Sequence, residues 1–456
     1  MIQQEFLIIG AGLVGSMLAI SMKKKGYQVR LVERRADPRY AKSEGRSINL
    51  VVTSRGKKTL EDAGLWEEVR NLTMPVAGRK MHPIQGRLAY QPYGIYDHEV
   101  NYSVSRSGLN NFLINEAEKQ GIDILFEHEL EGGTLADGVL DFKTPQGVVQ
   151  LAASSFIGTD GSGSKLRPLI VATEGDGAQE TIQPLGAFYK ELKMPAALDG
   201  QYPMDSNSLH IWPRGHHMLM GLPNEDGSFT MTLFVPDQGE HAFGAIKENI
   251  PQYFEDFYPD VIPLIPDYLQ QFEANPEGFL GTVKCNTWYS GDRAVLLGDA
   301  AHGIVPFFGQ GMNSGFEDIT VFLDLLTSGQ PLEDVYGNFQ SIQKPNADAI
   351  ADMAIENFVE MRDRVGDSKF LALKALERFL EEHLSQKFRS RYSMVTFSRI
   401  PYKHVQQIGL VQKETLSLIG KGGTEGPENI DLKEAEAVID GLYTKEVRRL
   451  GIDLQF

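Results

Sequence analysis

The chain has 456 residues, 42% hydrophobic and 23% charged, an ordinary globular composition that indicates neither a disordered nor a membrane-embedded class. Its net charge of −17 argues against nucleic acid or an anionic membrane surface as partner, although a local arginine can still hold an anionic small molecule. The one cysteine, Cys285, permits no intramolecular disulfide and no multi-cysteine metal site, and it points to a reducing, cytoplasmic compartment. In chain order, Phe6 to Ile9 is a short apolar run, and Gly10, Gly12 and Gly15 follow in the spacing G-x-G-x-x-G. A helical stretch comes next, then a second strand, Gln28 to Val32, ending at Glu33. Gly10 allows a tight turn, Gly12 lets backbone approach a pyrophosphate, and Gly15 lets helix and strand pack closely. The helix N-terminus presents free N–H groups to the phosphates. Glu33, about 20 residues on, can accept hydrogen bonds from a ribose without a 2′-phosphate.

A helix is expected over Ser54 to Asn71, an amphipathic helix over Ser107 to Gln120, and a strand over Asp123 to Phe126. Residues 154–160 read as another strand and lead into Gly158-Thr159-Asp160-Gly161. From about 180 to 235 the pattern becomes strand-like. Ser228 to Phe234 alternates, Asn224-Glu225-Asp226-Gly227 is a turn signal, and His217 to Leu222 would be the hairpin partner. Ala294 to Leu297 returns to buried-strand character and ends in Gly298-Asp299-Ala300-Ala301-His302. After about 335 the chain is mostly helical, and no run approaches the roughly 18 apolar residues of a membrane span.

Two downstream motifs extend the first. Gly158 to Arg167 is a strand end with a glycine-rich turn, an aspartate of buried type and a following helix with basic residues. Asp299 can hold a ribityl or ribose hydroxyl, and the Gly309-Gln310-Gly311-Met312-Asn313 backbone can approach a flavin and offer N–H groups to its pyrimidine edge. Singly, each is an ordinary strand-end turn. In this order and spacing they resemble the three signatures of the class-A flavoprotein aromatic hydroxylases, over roughly the first three-quarters of the chain. Within that family, further segments are similar to the kynurenine 3-monooxygenases: Gly45 to Leu50, Gln91-Pro92-Tyr93-Gly94, Leu209 to Pro213, Val305 to Asn313, Glu356 to Met361 and Arg391 to Arg399.

The resemblance implies an α/β fold like that of para-hydroxybenzoate hydroxylase. A discontinuous Rossmann-type FAD domain (1–70, 100–175 and 285–335) would carry an inserted antiparallel-sheet substrate domain (71–99 and 176–284). A helical C-terminal region (336–456) would follow. The soluble bacterial type is expected, with no membrane anchor.

For FAD, the resemblance implies Gly10, Gly12, Leu13, Val14, Gly15, Glu33, Arg34, Val51, Arg106, Leu130, Asp160, Asp299, Gly311, Met312 and Asn313. For the substrate it implies Arg79 and Tyr93 at the carboxylate, with Asn357 and Tyr392 closing the amino-acid end. A guanidinium forks onto a carboxylate, and phenol and amide groups add neutral hydrogen bonds. Met220, Leu222, Thr232, Phe234, Pro306 and Phe307 would line the ring pocket. Period-2 spacing independently puts Met220 with Leu222, and Thr232 with Phe234, on one sheet face. An ordinary core face remains the alternative for each of these. His302 reads as a capping or core histidine, and Cys285 as structural.

The implied activity is hydroxylation of L-kynurenine to 3-hydroxykynurenine with O2 and NADPH, through a flavin C4a-hydroperoxide. No catalytic side chain and no metal is expected, because the flavin carries the hard chemistry. No second fingerprint is visible for the nicotinamide, so NADPH and NADH are not separated by sequence. Hydroxylation of another aromatic acid, a flavin reductase or oxidase without oxygen insertion, and a non-enzymatic flavin-binding protein stay open.

Overall fold

Phe6, Leu7 and Ile8 have no solvent exposure, and they form the middle of a largely parallel sheet. A computed structural model describes residues 5–40, 49–363 and 368–454. Of the segment Gly45 to Leu50, residues 45–48 lie outside the described ones. The chain divides into two compact units: Met1–Thr73, Ser103–Ala187 and Asn275–Ala351 form the first, and Met74–Tyr102, Phe188–Ala274 and Asp352–Phe456 the second.

In the first unit the described residues give a six-stranded sheet. Its order is Tyr289–Ser290, Ala294–Leu296, Ser155–Gly158, Glu5–Ile9, Gln28–Val32, Asp123–Leu125. All pairs are parallel except the first, which is antiparallel. Helices Leu13–Lys24, Arg106–Lys119 and Gly311–Leu326 pack in this unit, and their cover explains why the central strands are continuous apolar runs. A separate antiparallel sheet holds Glu129–Thr134, Val139–Thr144 and Gly147–Ala152.

The expected helix over Ser54 to Asn71 is two helices, Ser54–Asp62 and Trp66–Arg70. Gly64 sits at φ +66°, with Gly64 N–H donating to Glu61 O (2.8 Å) and Leu65 N–H to Leu60 O (2.8 Å). That bond pair is a Schellman ending, and the glycine in its left-handed position terminates the first helix.

In the second unit the sheet runs from the later half of Glu180–Met194 through Phe229–Pro236, Met218–Pro223, Ser208–Pro213 and Gly78–Met81 to Ala89–Pro92. The hairpin register places Met220 opposite Thr232 and Met218 opposite Phe234. One internal pair, Ser208–Pro213 with Gly78–Met81, is parallel. Trp212, Leu219, Met231 and Leu233 join Phe254, Tyr258 and Phe272 in one apolar core, so that face is covered by helices Ile250–Phe257 and Tyr268–Ala274. Met220, Leu222, Thr232 and Phe234 alternate with these residues and occupy the other face. Ile211 lies opposite Met220 on it, and Arg79 lies on it in register with Leu209 and opposite Gln91. Beyond the sheet the second unit is helical, through Ser368–His383, Arg391–Phe397, Tyr402–Ile419, Leu432–Gly441 and Tyr443–Arg449. No described helix is long and apolar enough to cross a membrane.

Candidate functional site

The first unit carries two glycine-led helix N-termini with no side-chain cap. At the first, Gly12 occupies the N-cap of helix Leu13–Lys24, and the earliest helical bond is Ser16 N–H to Gly12 O (2.9 Å). The N–H groups of Leu13, Val14 and Gly15 are therefore the helix's orphan donors. A Cβ on Gly12 would meet nothing within 4 Å, which leaves open space in front of them. A Cβ on Gly15 would lie 1.9 Å from Gly10 O, so only glycine allows the turn and the helix to approach this closely. Glu33 holds the turn from the neighbouring strand, its Oε2 accepting from Ala11 N–H (3.1 Å) and its Oε1 from Arg35 N–H (3.0 Å).

At the second, helix Gly311–Leu326 begins after Gln310, and its first bond is Ser314 N–H to Gln310 O (2.8 Å). This leaves the N–H groups of Gly311, Met312 and Asn313 as donors. A Cβ on Gly311 would find nothing closer than 3.9 Å, with the Asp299 carboxylate 4.0 Å away. The Asn313 side chain is fully used within the protein. Its Nδ2 donates to Val51 O (2.7 Å) and Gly309 O (2.9 Å), and its Oδ1 accepts from Thr53 N–H (2.9 Å). Two uncapped N-termini, open space before both and a carboxylate beside one of them fit a dinucleotide cofactor such as FAD.

Other expected cofactor residues of this unit differ in setting. Arg106 is the exposed first residue of its helix and makes no ion pair among the described residues. Arg34 is exposed, Val51 is half-buried, and Leu130 is buried on its strand opposite Phe142. Asp160 caps a helix: Oδ2 accepts from Lys165 N–H (2.7 Å) and Leu166 N–H (3.3 Å). Its Oδ1 is buried without a partner, and burial raises its carboxyl above the ordinary range. Pro306 and Phe307 form a short turn just before Gly309. His302 bonds Asp318 through Nε2 (2.6 Å) and packs on Trp288, which makes it a core residue. Burial opposes its protonation, but Asp318 prevails and raises its pKa.

The second unit gathers the residues expected at the substrate carboxylate. Arg79 is half-buried and donates from Nε to the neutral Gln91 Oε1 (2.9 Å), and no carboxylate pairs with it among the described residues. The adjacent Lys80, by contrast, is paired with Asp205 (2.8 Å). Tyr93 and Tyr392 stack with ring centroids 5.2 Å apart. Burial pushes the Tyr93 phenol well up, assisted by Tyr392 and opposed by Arg79. Burial also raises Tyr392, to about 12, with Asn101 and Arg79 pulling the other way. Both phenols keep their protons at neutral pH and can donate them.

Asn101 donates from Nδ2 to the Tyr392 oxygen (2.9 Å). Asn357 contacts Met361 Sδ (3.6 Å) one turn along its helix. Its neighbours Glu356 and Glu360 bind Arg391 (2.5 and 3.4 Å), the residue before Tyr392, which joins the two helices that carry Asn357 and Tyr392. Sequence reasoning missed Gln91 and Asn101 as site residues. Gln91 lies in the segment Gln91-Pro92-Tyr93-Gly94, whereas nothing in the spacing around Asn101 marks it.

A family model described as an FAD binding domain matches residues 3–328. The kynurenine 3-monooxygenase of Myxococcus xanthus is 43% identical over 445 residues, covering 96% of this chain and 95% of that protein. That of Stenotrophomonas maltophilia is 41% identical over 437 residues, covering 95% of each. Among solved structures, 2-methyl-3-hydroxypyridine-5-carboxylic acid oxygenase is similar with a TM-score of 0.65 and 20% identity, over 82% of this chain and 96% of its own. Tetracycline destructase Tet(51) follows at a TM-score of 0.60 and 17% identity, over 80% of this chain and 93% of its own. At these identities the two structures establish the fold alone.

Proposed function

This chain belongs to the kynurenine 3-monooxygenase family and carries its FAD binding domain, and on that premise we propose that it hydroxylates L-kynurenine to 3-hydroxykynurenine with NADPH and O2. When bound, FAD supplies the activation of oxygen after reduction by the nicotinamide. The glycine-rich turns at Gly10 to Gly15 and Gly309 to Asn313 hold it through backbone N–H groups, with Glu33, Asp160 and Asp299 as carboxylate neighbours and Arg106 offsetting phosphate charge. Leu13, Val14, Arg34, Val51 and Leu130 form the adenosine side.

The observation that carries the substrate reading is the cation at Arg79. It is half-buried, held by a neutral amide, and set close enough to two protonated phenols for its charge to act on both. Such a group receives a carboxylate through a forked pair of hydrogen bonds. Tyr93 and Tyr392 donate to the same carboxylate, and Asn357 completes the amino-acid end. Met220, Leu222, Thr232 and Phe234, on the sheet face away from the core, take the aromatic ring. The aniline nitrogen of kynurenine feeds electrons into the ring carbon that is hydroxylated, so no strong protein base is required there. The chain's task is placement and exclusion of water.

The test is NADPH oxidation by the purified flavoprotein with and without L-kynurenine, with the product analysed by mass. Stimulation with a product one oxygen heavier supports the reading. Stimulation without added oxygen makes kynurenine an effector that uncouples the flavin, and a dehydrogenated or reduced product selects an oxidase or reductase. No stimulation removes the substrate assignment.

A further inference from the structure

The two tyrosines come from segments far apart in sequence, and a buried ionic cluster joins those segments. Arg389, Glu99 and Glu381 are 2%, 2% and 3% exposed. Arg389 bonds Glu99 through Nη2 and Glu381 through Nε (3.0 Å). Glu99 also closes the loop that begins at Tyr93. Its Oε2 accepts from Ile95 N–H (2.7 Å) and Tyr96 N–H (3.2 Å). The loop wraps so closely that a Cβ on Gly94 would lie 2.1 Å from Glu99 Cβ. On the other side, Arg389 immediately precedes Ser390, the N-cap whose Oγ accepts from Ser393 N–H (3.1 Å) and starts the helix bearing Tyr392. The Arg389 carbonyl is fixed in turn by Gln412 Nε2 (2.8 Å) and Tyr443 OH (2.8 Å).

We propose that the Glu99–Arg389 pair is a positioning device for substrate recognition. It sets the Tyr93 loop against the start of the Tyr392 helix, so that both phenols point at one carboxylate. Neither residue touches the substrate; each acts through a tyrosine. A charge pair suits this task because the buried guanidinium fork, bonding Glu99 through Nη2 and Glu381 through Nε, fixes direction as well as distance. Gln412 and Tyr443 anchor the backbone independently, so weakening the pair shifts the Tyr93 loop without unfolding the helical region. The inference rests on the carboxylate reading of Arg79, Tyr93 and Tyr392.

The experiment compares the wild-type holoenzyme with Glu99→Gln, Arg389→Lys and the double variant Glu99→Gln/Arg389→Lys. Two substrates are used, L-kynurenine and the amine that lacks its carboxylate. The expected result for Glu99→Gln is a KM for L-kynurenine raised about tenfold, a typical consequence of a small misplacement, with kcat and the bound-flavin spectrum nearly unchanged. The preference for the amino acid over the amine falls by the same factor. The double variant is little worse than the worse single one, because both changes weaken the same Glu99–Arg389 contact. If Glu99→Gln does not fold, Arg389→Lys, which keeps the charge and loses the fork, is read in the same way. An unchanged KM and unchanged preference alongside a lowered melting temperature overturn the proposal, since the pair is then only structural. A wild-type enzyme that does not distinguish the two substrates overturns the carboxylate reading itself.

Discussion

Tyr93 and Tyr392 lie nearly parallel, their ring planes 13° apart and centroids separated by 5.2 Å, although they stand on opposite sides of most of the chain. Offset stacking of this kind fixes two phenol groups side by side. The charge of Arg79 acts on both, its support Gln91 and that of Tyr392, Asn101, are neutral, and no carboxylate pairs with Arg79 among the described residues.

Arg79→Lys follows directly. An ammonium keeps the charge but cannot fork onto a carboxylate or keep the same bond to Gln91. Hydrogen bonds to charged groups contribute about 1.5–3 kcal/mol each. The expected outcome is a KM for L-kynurenine higher by about ten- to a hundredfold, with the flavin spectrum and melting temperature unchanged. Steady-state kinetics on the holoenzyme check it, and a normal KM removes Arg79 from the clamp.

The glycine-led turns of the first unit were legible in the sequence and much of the arginine–tyrosine cluster of the second unit was not, for a physical reason. Phosphate and flavin contacts use backbone N–H groups, which need glycines at fixed short spacings, so Gly10 to Gly15 and Gly309 to Asn313 stand out as local patterns. The clamp uses ordinary side chains whose proximity is created by tertiary packing. Asn101 meets Tyr392 across 291 positions, and Arg389 meets Glu99 across 290. Arg79, Tyr93, Asn357 and Tyr392 were reached only through the family resemblance. At Asn313 the glycine pattern marks the backbone, while the side chain's three bonds to the Val51–Thr53 and Gly309 backbone became visible only with the fold.

That role of Asn313 predicts an asymmetric pair of variants. Asn313→Asp has nearly the same shape, but a carboxylate cannot donate to the carbonyls of Val51 and Gly309 and would face both of them. Each buried group left unmatched costs about 1–3 kcal/mol. The Asp variant should therefore lose FAD affinity by a hundredfold or so and melt at a lower temperature, while Asn313→Gly should lose less because it leaves no buried charge. Flavin titration of the apoprotein and scanning calorimetry read the two effects. Equal losses from both variants would show that the buried carboxylate facing the two carbonyls is not the cause.

A histidine predicts how stability responds to acid. Burial first, and then the neighbouring His210, push His82 down to about 4, and its ring nitrogen Nε2 lies 2.8 Å from His210 Nδ1. The folded chain thus keeps His82 neutral where the unfolded chain, titrating near the ordinary value of about 6.5, takes up a proton. Stability from this group is present above about 6.5, is lost as pH falls below it, and levels off near 4. The slope contributed is at most about 1.4 kcal/mol per pH unit. His82→Gln should flatten the dependence of melting temperature on pH between about 6.5 and 4 and leave it unchanged above 7. A variant whose acid limb matches that of the wild type would exclude His82 as a source of the slope.

The two faces of the second unit's sheet yield the sharpest contrast between packing and recognition. Met231 has no solvent exposure and belongs to the core beneath helices Ile250–Phe257 and Tyr268–Ala274. Met220, on the adjacent strand, points to the other face, opposite Thr232. Truncating a buried methionine in a packed core costs about 2–5 kcal/mol, because the lost contacts are joined by the cost of a cavity. Met231→Ala should therefore lower the melting temperature by several degrees and change kcat/KM little once folded protein is assayed. Met220→Ala should do the reverse, leaving the melting temperature nearly unchanged while kcat/KM for L-kynurenine falls and more NADPH is oxidised without product. A loosely held ring is reached less often by the activated oxygen, so uncoupled oxidation is the more sensitive signal of the two. If Met220→Ala instead lowers the melting temperature as much as Met231→Ala and leaves coupling intact, the outer face is ordinary packing and the ring lies elsewhere.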